Sequence, residues 1–296
     1  MKARQLKKYL LLGLCLMGSV TVKAQLNSLG NSFYQNQYLS NPAMAGMNEG
    51  LRLNVGLNQQ WSAVPGSPSA QFITLDHRLE KVGVGISLYA DKAGLLKRTR
   101  AVATYAYYLL LNENEDQLHF GISLGALSER LATEEINGSI ADVSVQRFNE
   151  RPVVMDGDFG IAYTSSNLTI QGTLPNLKNF LKKERYNTAN WTTFFSSISY
   201  RFYTGVGTQD ISIEPKISFR GVRGYDNIID GGVNLTFTAI NLSATAIYHS
   251  TESISMGLGF NYKKLSILGL YTSGTSALQG YSSGNFEIGL GYRFGK

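Results

Sequence analysis

The sequence is poor in the residues that build helical, disulfide-bonded or strongly charged proteins. It has 1 cysteine and 3 histidines in 296 residues, and 16% of its residues are charged. A single thiol excludes a disulfide framework and a site built from several thiolates. Long helix formers at a 3.6-residue period are nearly absent, which argues against a helical bundle.

No apolar run is long enough to cross a membrane as a helix. The longest covers residues 9–22, about 14 residues, whereas a helical span needs ~20. It follows four cations and no acid, and the small residues Val22 and Ala24 precede Gln25. This arrangement is typical of a secretory signal peptide over residues 1–24, cleaved after Ala24. The only cysteine, Cys15, would leave with it.

The basic character of the sequence belongs to this leader. Five of the 27 basic residues and none of the 21 acidic ones lie in residues 1–24, which leaves 22 bases against 21 acids. A near-neutral exported chain offers no extended positive field for phosphates, so we expect no nucleic-acid partner.

Period-two alternation is what the sequence has in abundance. Residues 254–262 and 286–294 alternate large apolar side chains with serine, glycine or charged ones. Each run predicts a strand with one apolar face. Strands of ~9–11 residues with such a face suit a tilted crossing of a lipid bilayer. A soluble β-sandwich gives the same alternation with the apolar face inward, so the pattern alone leaves that alternative open.

Turn spacing favours the membrane barrel. Fourteen strands are predicted, and even numbers are the rule for bacterial outer-membrane barrels. Their ranges are 51–61, 70–80, 82–91, 99–110, 117–127, 157–164, 167–173, 191–203, 211–221, 231–239, 242–249, 253–262, 265–272 and 284–294. If the N-terminus is periplasmic, the odd-numbered connections are external and should be long. Six of seven are: Ser62–Ser69, Lys92–Arg98, Ser128–Asp156, Leu174–Asn190, Val222–Asp230 and Ser273–Ser283.

The predicted fold is therefore all-β, a transmembrane antiparallel β-barrel of about 14 strands over residues 51–296, in the cell outer membrane. Residues 25–50, rich in Asn, Gln, Ser and Tyr, precede it as an extended or turn-rich segment in the periplasm or the lumen. An aromatic girdle is expected near strand ends from Tyr105, Tyr107, Tyr108, Tyr163, Trp191, Tyr200, Phe202 and Tyr292.

Glycine pairs spaced by two recur along the chain, at Gly83 and Gly85, Gly205 and Gly207, Gly257 and Gly259, and Gly289 and Gly291. Three of the pairs lie within alternating strands, and no helix follows Gly205-Val206-Gly207, so they lack the strand-to-helix context of a phosphate loop. We expect them to let lumen contents or a plug approach the wall closely.

Candidate chemistry is sparse. The charges predicted to face the lumen are Asp76, Arg78, Glu214, Lys216, Arg220, Glu287 and Arg293. Their mixed signs favour cross-strand ion pairs or a hydrated interior over an ion-selective ring. The histidines have no metal-ligand spacing, so no metal and no cofactor are predicted. His249 and Ser250 are strand neighbours on opposite faces, which argues against a hydrolase.

Several motifs resemble the PorP/SprF family of Bacteroidetes outer-membrane proteins. They are Asn41-Pro42-Ala43 with Gly46, then Gln60-Trp61, and the closing Tyr292-Arg293-Phe294. The resemblance implies a component of, or partner to, the type IX secretion system, which is tied to gliding motility, and it implies no catalytic residues. Two departures, Tyr248-His249 where the family has Tyr-Arg and Phe286 where it often has His, leave the particular partner open.

The expected function is therefore non-enzymatic binding. The external connections would dock a secreted or surface-anchored protein, such as an adhesin, while residues 25–50 and the short turns engage periplasmic subunits. The alternatives are an accessory barrel of another outer-membrane machine, for membrane-protein assembly or nutrient uptake, and a passive solute channel. A channel needs an open lumen, and the sequence leaves open whether the lumen is plugged.

Overall fold

The strands of the computed structural model form one closed antiparallel sheet. The structure describes residues 32–60, 66–113, 116–133, 143–178, 192–204, 211–222, 226–274 and 284–295. The strands are β1 Leu51–Gln60, β2 Ser69–Leu79, β3 Val82–Ala93, β4 Leu96–Leu110, β5 Gln117–Leu131, β6 Val154–Thr164, β7 Leu168–Leu174, β8 Thr192–Tyr200, β9 Phe202–Thr204, β10 Ile211–Val222, β11 Ile228–Phe237, β12 Leu242–His249, β13 Ser253–Tyr262, β14 Leu265–Thr272 and β15 Asn285–Phe294. The predicted signal peptide, Trp61, Trp191, Gly205 and Gly207 lie outside the described ranges.

Closure comes from the first and last strands. β1 pairs with β2 on one side and with β15 on the other, from Leu51 opposite Phe294 to Gln60 opposite Asn285. β8 and β9 pair with the same strand, β10, in one continuous register, so they make a single spanning segment. The barrel thus has fourteen spanning segments, and the predicted fold class is confirmed.

The eighth segment is interrupted at Arg201, which the alternation did not predict. The register of β8 and β9 against β10 places Tyr200 opposite Pro215 and Arg201 opposite Glu214. Proline has no N–H to give to a ladder, and the strand assignment breaks beside it. Arg201 donates from Nη2 to Glu214 Oε2 at 2.7 Å across the interruption, so an ion pair joins the two strands there.

The faces of the sheet are inverted relative to a soluble protein. Leu124, Met256 and Leu258 are at least 60% exposed on the outer face, whereas Thr74 and Ser255 are fully buried on the inner face. A soluble sandwich would place the apolar face inside. Lipid accepts an apolar outer band and requires every backbone group to be paired within the sheet, which closure achieves. These features support a membrane barrel over the sandwich alternative.

Within the described ranges no helix has the length and apolarity needed to cross a membrane.

Most of the predicted girdle side chains face outward, and one does not. Tyr105, Tyr107 and Tyr200 are exposed on the outer face. Tyr108 is 2% exposed and lies in the lumen, so its assignment to the girdle was wrong. Successive strand residues point to opposite faces, so of the neighbours Tyr107 and Tyr108 only one faces lipid.

The β4–β5 hairpin is longer than a membrane crossing requires. β4 and β5 each have 15 residues, while β12 and β14 have 8. Most of the additional residues are charged or polar, and Arg98 of β4 pairs with Glu129 of β5 at 3.2 Å. We call this projection, residues 96–98 with 128–131, the rim wall. The helix α1, Val143–Asn149, packs against it, since Asn149 Oδ1 accepts from Leu131 N at 2.7 Å.

The predicted long connection Lys92–Arg98 was wrong for the same reason. β3 continues to Ala93 and β4 begins at Leu96, which leaves only Gly94 and Leu95 in the turn. Gly94 has φ +57°, the left-handed region that tight hairpin turns use. The charged residues of this stretch predicted a loop. In the structure such charges pair across the two strands, as Asp91 does with Arg98.

We predict that the outer face of β13 tolerates no charge at mid-strand. Leu258→Arg is expected to destabilise the barrel by about 2–4 kcal/mol, because a guanidinium would lie near the bilayer midplane. The measurement is denaturant unfolding of protein folded in lipid vesicles. Ile240→Arg, in a turn at the end of the barrel, is the matched control and should change stability by less than about 1 kcal/mol. Equal effects of the two substitutions would contradict the placement of the outer face.

Candidate functional site

Residues 32–46, which we call the plug, lie inside the barrel. They form three 3-10 turns, η1 Ser32–Tyr34, η2 Gln37–Leu39 and η3 Pro42–Met44. The buried apolar clusters of the molecule join plug to wall: Phe33 packs with Phe195 and Ile247, and Tyr38 with Ala106. The core of this protein is therefore the contact between the plug and the inner face.

The Asn-Pro-Ala motif forms the centre of the plug. Asn41 is fully buried, and its Oδ1 caps η3 by accepting from Ala43 N at 2.9 Å. Its Nδ2 donates to the backbone of Ile161 at 3.2 Å and to Gln171 Oε1 at 3.3 Å. Proline at the first position of the turn sacrifices no backbone donor. One side chain thus shapes the turn and fixes it to β6 and β7.

Two tyrosine hydrogen bonds join the plug to β4. Tyr38 of the plug donates to Thr104 Oγ1 at 2.8 Å, and Tyr108 of β4 donates to the carbonyl oxygen of Ala45 at 2.6 Å. Burial raises the pKa of the Tyr38 phenol above its ordinary value, so it remains a donor at all ordinary pH values. The guanidinium of Arg78 lies 3.3 Å from the centre of the Tyr108 ring.

Charged side chains hold the plug backbone at other points of the wall. Gly46 N donates to Asp76 Oδ2 at 2.9 Å, and Ser32 N donates to Glu287 Oε1 at 2.7 Å. Lys216 Nζ donates to the carbonyl oxygen of Tyr34 at 3.1 Å and lies 4.2 Å from the centre of its ring. Anions meet N–H groups and the cation meets a carbonyl, so each buried charge has a complementary partner.

Glycines in the wall make room for the plug. A Cβ at Gly83 would overlap the carbonyl oxygen of Ala45, and one at Gly121 would overlap the backbone of Pro42 and Ala43. A Cβ at Gly160 would overlap Asn41 Oδ1, and one at Gly85 would lie 2.7 Å from the Tyr38 hydroxyl. The expectation that wall glycines admit a plug is confirmed for Gly83 and Gly85. Gly257 and Gly291 instead face side chains of neighbouring strands.

The structure places the predicted lumen-facing charges as follows. Asp76, Glu214, Lys216, Arg220 and Glu287 are at most 7% exposed on the inner face, Arg78 is half-buried, and Arg293 is exposed near the end of β15. Gln60 is buried at the far end of β1. Tyr108, Thr104 and Gln171 were not predicted from the sequence to contact the plug. Tyr108 is two residues from Ala106 in the same strand, so the two side chains share the inner face, and this spacing could have identified Tyr108.

A second buried network links β10 to β14. Arg220 donates bidentately to Asp230, whose Oδ1 is 2.7 Å from His249 Nδ1; His249 Nε2 is 2.7 Å from Ser255 Oγ. The order Asp-His-Ser has the connectivity of a hydrolase triad. Ser255, however, has no exposed surface and shares its hydroxyl with Thr272 Oγ1 at 2.7 Å. The arrangement therefore cross-links strands and offers no approach for a substrate.

His249 thus pairs with Ser255 rather than with the adjacent Ser250. Ser250 Oγ instead accepts from Ile229 N at 3.0 Å. In the part of the chain that is described, no group of three or more His, Cys, Asp and Glu side chains is placed to hold a metal ion.

Comparison with known proteins now gives the family. A family model described as "Type IX secretion system membrane protein PorP/SprF" matches residues 22–292. The chain belongs to the PorP/SprF family. It is accordingly an outer-membrane barrel of a secretion system, and this family and fold are not those of an enzyme. Membership of a secretion complex with other subunits follows from the family description.

Solved barrels are only distantly similar. The outer membrane protein Omp33 of Acinetobacter baumannii is 9% identical, with a TM-score of 0.48 over 84% of this chain and 100% of that one. The CymD monoaromatic hydrocarbon channel is 13% identical, with a TM-score of 0.49 over 93% and 95%. The toluene transporter TbuX of Ralstonia pickettii is 10% identical, with a TM-score of 0.47 over 92% and 96%. No curated protein matched the chain.

We predict that Gly121→Val displaces the plug. Valine suits a strand, so the wall is expected to form, while its side chain occupies the space of Pro42 and Ala43. Planar-bilayer recordings should then show ion conductance for this variant and none for the unsubstituted protein. Gly269→Val, where a Cβ meets nothing within 4 Å, is the matched control and should show no ion conductance.

Gly160→Val provides a second test of the same displacement, because its Cβ would meet Asn41 instead. Two folded variants that remain silent, with a plug as resistant to protease as in the unsubstituted protein, would contradict the fit described for these glycines.

We predict that Ser255 has no nucleophilic activity. A fluorophosphonate probe should fail to label the folded protein, and p-nitrophenyl butyrate should be hydrolysed no faster than by Ser255→Ala, because the hydroxyl is enclosed. Labelling that disappears in Ser255→Ala would reinstate a hydrolase.

Proposed function

We propose that this protein is a plugged anchoring barrel of the type IX secretion machinery. It binds a secreted or surface-anchored protein at one end and periplasmic subunits at the other, and it does not conduct. In this proposal residues 1–24 are a signal peptide, the chain enters the barrel from the periplasm, and the protein serves protein transport and gliding motility in a Bacteroidetes bacterium.

The observation that carries the proposal is the attachment of the plug around the lumen. Its hydrogen bonds reach β2, β4, β6, β7, β10 and β15, so they are distributed over opposite parts of the wall. A segment held on all sides resists displacement by solutes, which argues against the passive channel. Binding is then left to the two ends of the barrel.

The two ends differ in what they offer a partner. One end has the 132–153 connection with helix α1, the 175–191 connection and the rim wall. The other has tight turns, such as Lys263–Lys264, together with the start of β1 at Leu51 and the end of β15 at Phe294. Long connections carried by a rigid wall are common binding surfaces. We therefore assign the secreted client to the first end and the periplasmic subunits to the second.

We predict that changes at the two ends of the barrel affect the binding of different partners. Replacing residues 133–150 by a Gly-Ser linker should lower recovery of a secreted client at least tenfold, about 1.4 kcal/mol of binding free energy, and leave periplasmic subunits bound. Reversing charge with Lys263→Glu and Lys264→Glu should do the opposite. The measurement is crosslinking in outer membranes, purification by a tag in mild detergent, and mass spectrometry.

Each variant controls for the other, since both should retain the heat-modifiable mobility of a folded barrel. Copurified assembly factors or uptake receptors in place of type IX subunits would overturn the proposal in favour of an accessory barrel of another machine. Conductance by the unsubstituted protein would overturn it in favour of a channel.

A further inference from the structure

A cavity of about 130 Å³ lies between the plug and the wall of β3–β8. Tyr38 and Pro42 of the plug form one side, and Val102, Leu127 and Phe195 are apolar residues of the wall that line the other. Pro175 and Asn176, where the chain leaves β7, also line it. The cavity is thus on the side of the plug that faces the long connections.

The size of the cavity suits one small apolar group. An engineered protein cavity of ~150 Å³ stays dry and binds benzene, so a space of this volume matches a single aromatic ring or a branched aliphatic side chain. Val102 and Phe195 are at most 6% exposed, so the apolar part of the lining is buried.

Two buried polar atoms of the lining have no hydrogen-bond partner. They are Arg100 Nε and Thr173 Oγ1, and Thr173 is 5% exposed. An unpartnered buried donor costs free energy, roughly 1–3 kcal/mol. A ligand oxygen that accepts from either atom would reduce this cost, so the lining has polar positions beside its apolar surface.

Charge indicates what kind of acceptor fits. Arg100 lies 2.8 Å from Asp158 and 3.8 Å from Asp156, and Arg98 pairs with Glu129 and Asp91. Of these charged residues only Arg98, Arg100 and Asp158 line the cavity, and both guanidinium groups are already paired with carboxylates. A ligand carboxylate would compete with Asp158 for Arg100, whereas an uncharged carbonyl oxygen would accept a hydrogen bond and leave that ion pair in place.

We propose that this cavity is a binding site for an aromatic or branched aliphatic group attached to an uncharged carbonyl. Two sources have that chemistry: a small neutral ketone or amide, and one apolar residue of a polypeptide with its backbone carbonyl. The site is independent of the machine that the barrel serves, because it is formed by plug and wall alone.

The test uses ¹⁹F NMR titration of the full chain in lipid nanodiscs. The probes are 4-fluoroacetophenone, fluorobenzene, which lacks the carbonyl, and 4-fluorobenzoate, which carries a charge. The ketone is expected to bind at least threefold more tightly than either of the others. Equal affinity of the ketone and fluorobenzene would overturn the polar part of the proposal, and tighter binding of the benzoate would overturn the charge argument.

Substitutions locate the binding. Val102→Phe fills the cavity and should weaken ketone binding at least tenfold, while Val233→Phe, on the outer face, should not. Leu127→Trp serves the same purpose if Val102→Phe fails to fold. Thr173→Val should remove the preference for the ketone over fluorobenzene, and Thr245→Val, a buried wall threonine outside the cavity, should preserve it. Unchanged binding in folded Val102→Phe and Leu127→Trp would overturn the site.

A peptide probe distinguishes the two sources. Acetyl-Gly-(4-fluoro-Phe)-Gly amide that binds at least tenfold more tightly than the ketone, and loses that binding in Val102→Phe, assigns the site to a polypeptide segment. Weaker binding of the peptide than of the ketone assigns it to a free small molecule. Failure of both probes to bind would overturn the proposal and leave the anchoring function untouched.

Discussion

The structure depends on the requirement that lipid places on the outer face of the barrel. Apolar side chains must point outward and every backbone group must be paired, so the polar face of each strand is enclosed. Side chains alone fill a barrel of about eight strands, and this one has fourteen spanning segments. The plug occupies part of the remaining interior, and the glycines at 83, 85, 121 and 160 are the positions where its fit is closest.

The enclosure of the polar inner face also explains why some buried charged side chains bind the plug backbone and not another charged side chain. The short 3-10 turns of the plug leave backbone donors and acceptors without partners along the chain, and buried backbone groups need partners. Asp76 and Glu287 accept from such N–H groups, and Lys216 donates to such a carbonyl. Wall and plug therefore each supply what the other lacks, while Arg220 and Asp230 form an ion pair within the wall.

The sequence was sufficient for the strands but not for what they enclose. Period-two alternation follows from the two environments of each strand, so the number of crossings and the side of residues such as Ile217 and Lys216 were predictable. The interruption at Arg201 depended on a proline in the neighbouring strand, and the β3–β4 turn depended on charges that pair across strands. The plug contacts join residues that are distant in sequence, 30 positions apart for Gly46 and Asp76 and 130 for Asn41 and Gln171, and no local pattern encodes such a pairing.

The unequal strand lengths make one side of the barrel rim higher than the other, so the barrel is asymmetric about the membrane normal. β4 and β5, at ~3.4 Å per residue, rise well beyond the 8-residue strands β12 and β14 on the other side of the barrel. A partner that binds the end of the barrel with the rim wall contacts a high, charged edge on one side and a low edge on the other. Rotation of the barrel about the membrane normal therefore changes which edge faces a neighbouring subunit. An assembly that contains the barrel must fix its rotational orientation as well as its depth in the membrane.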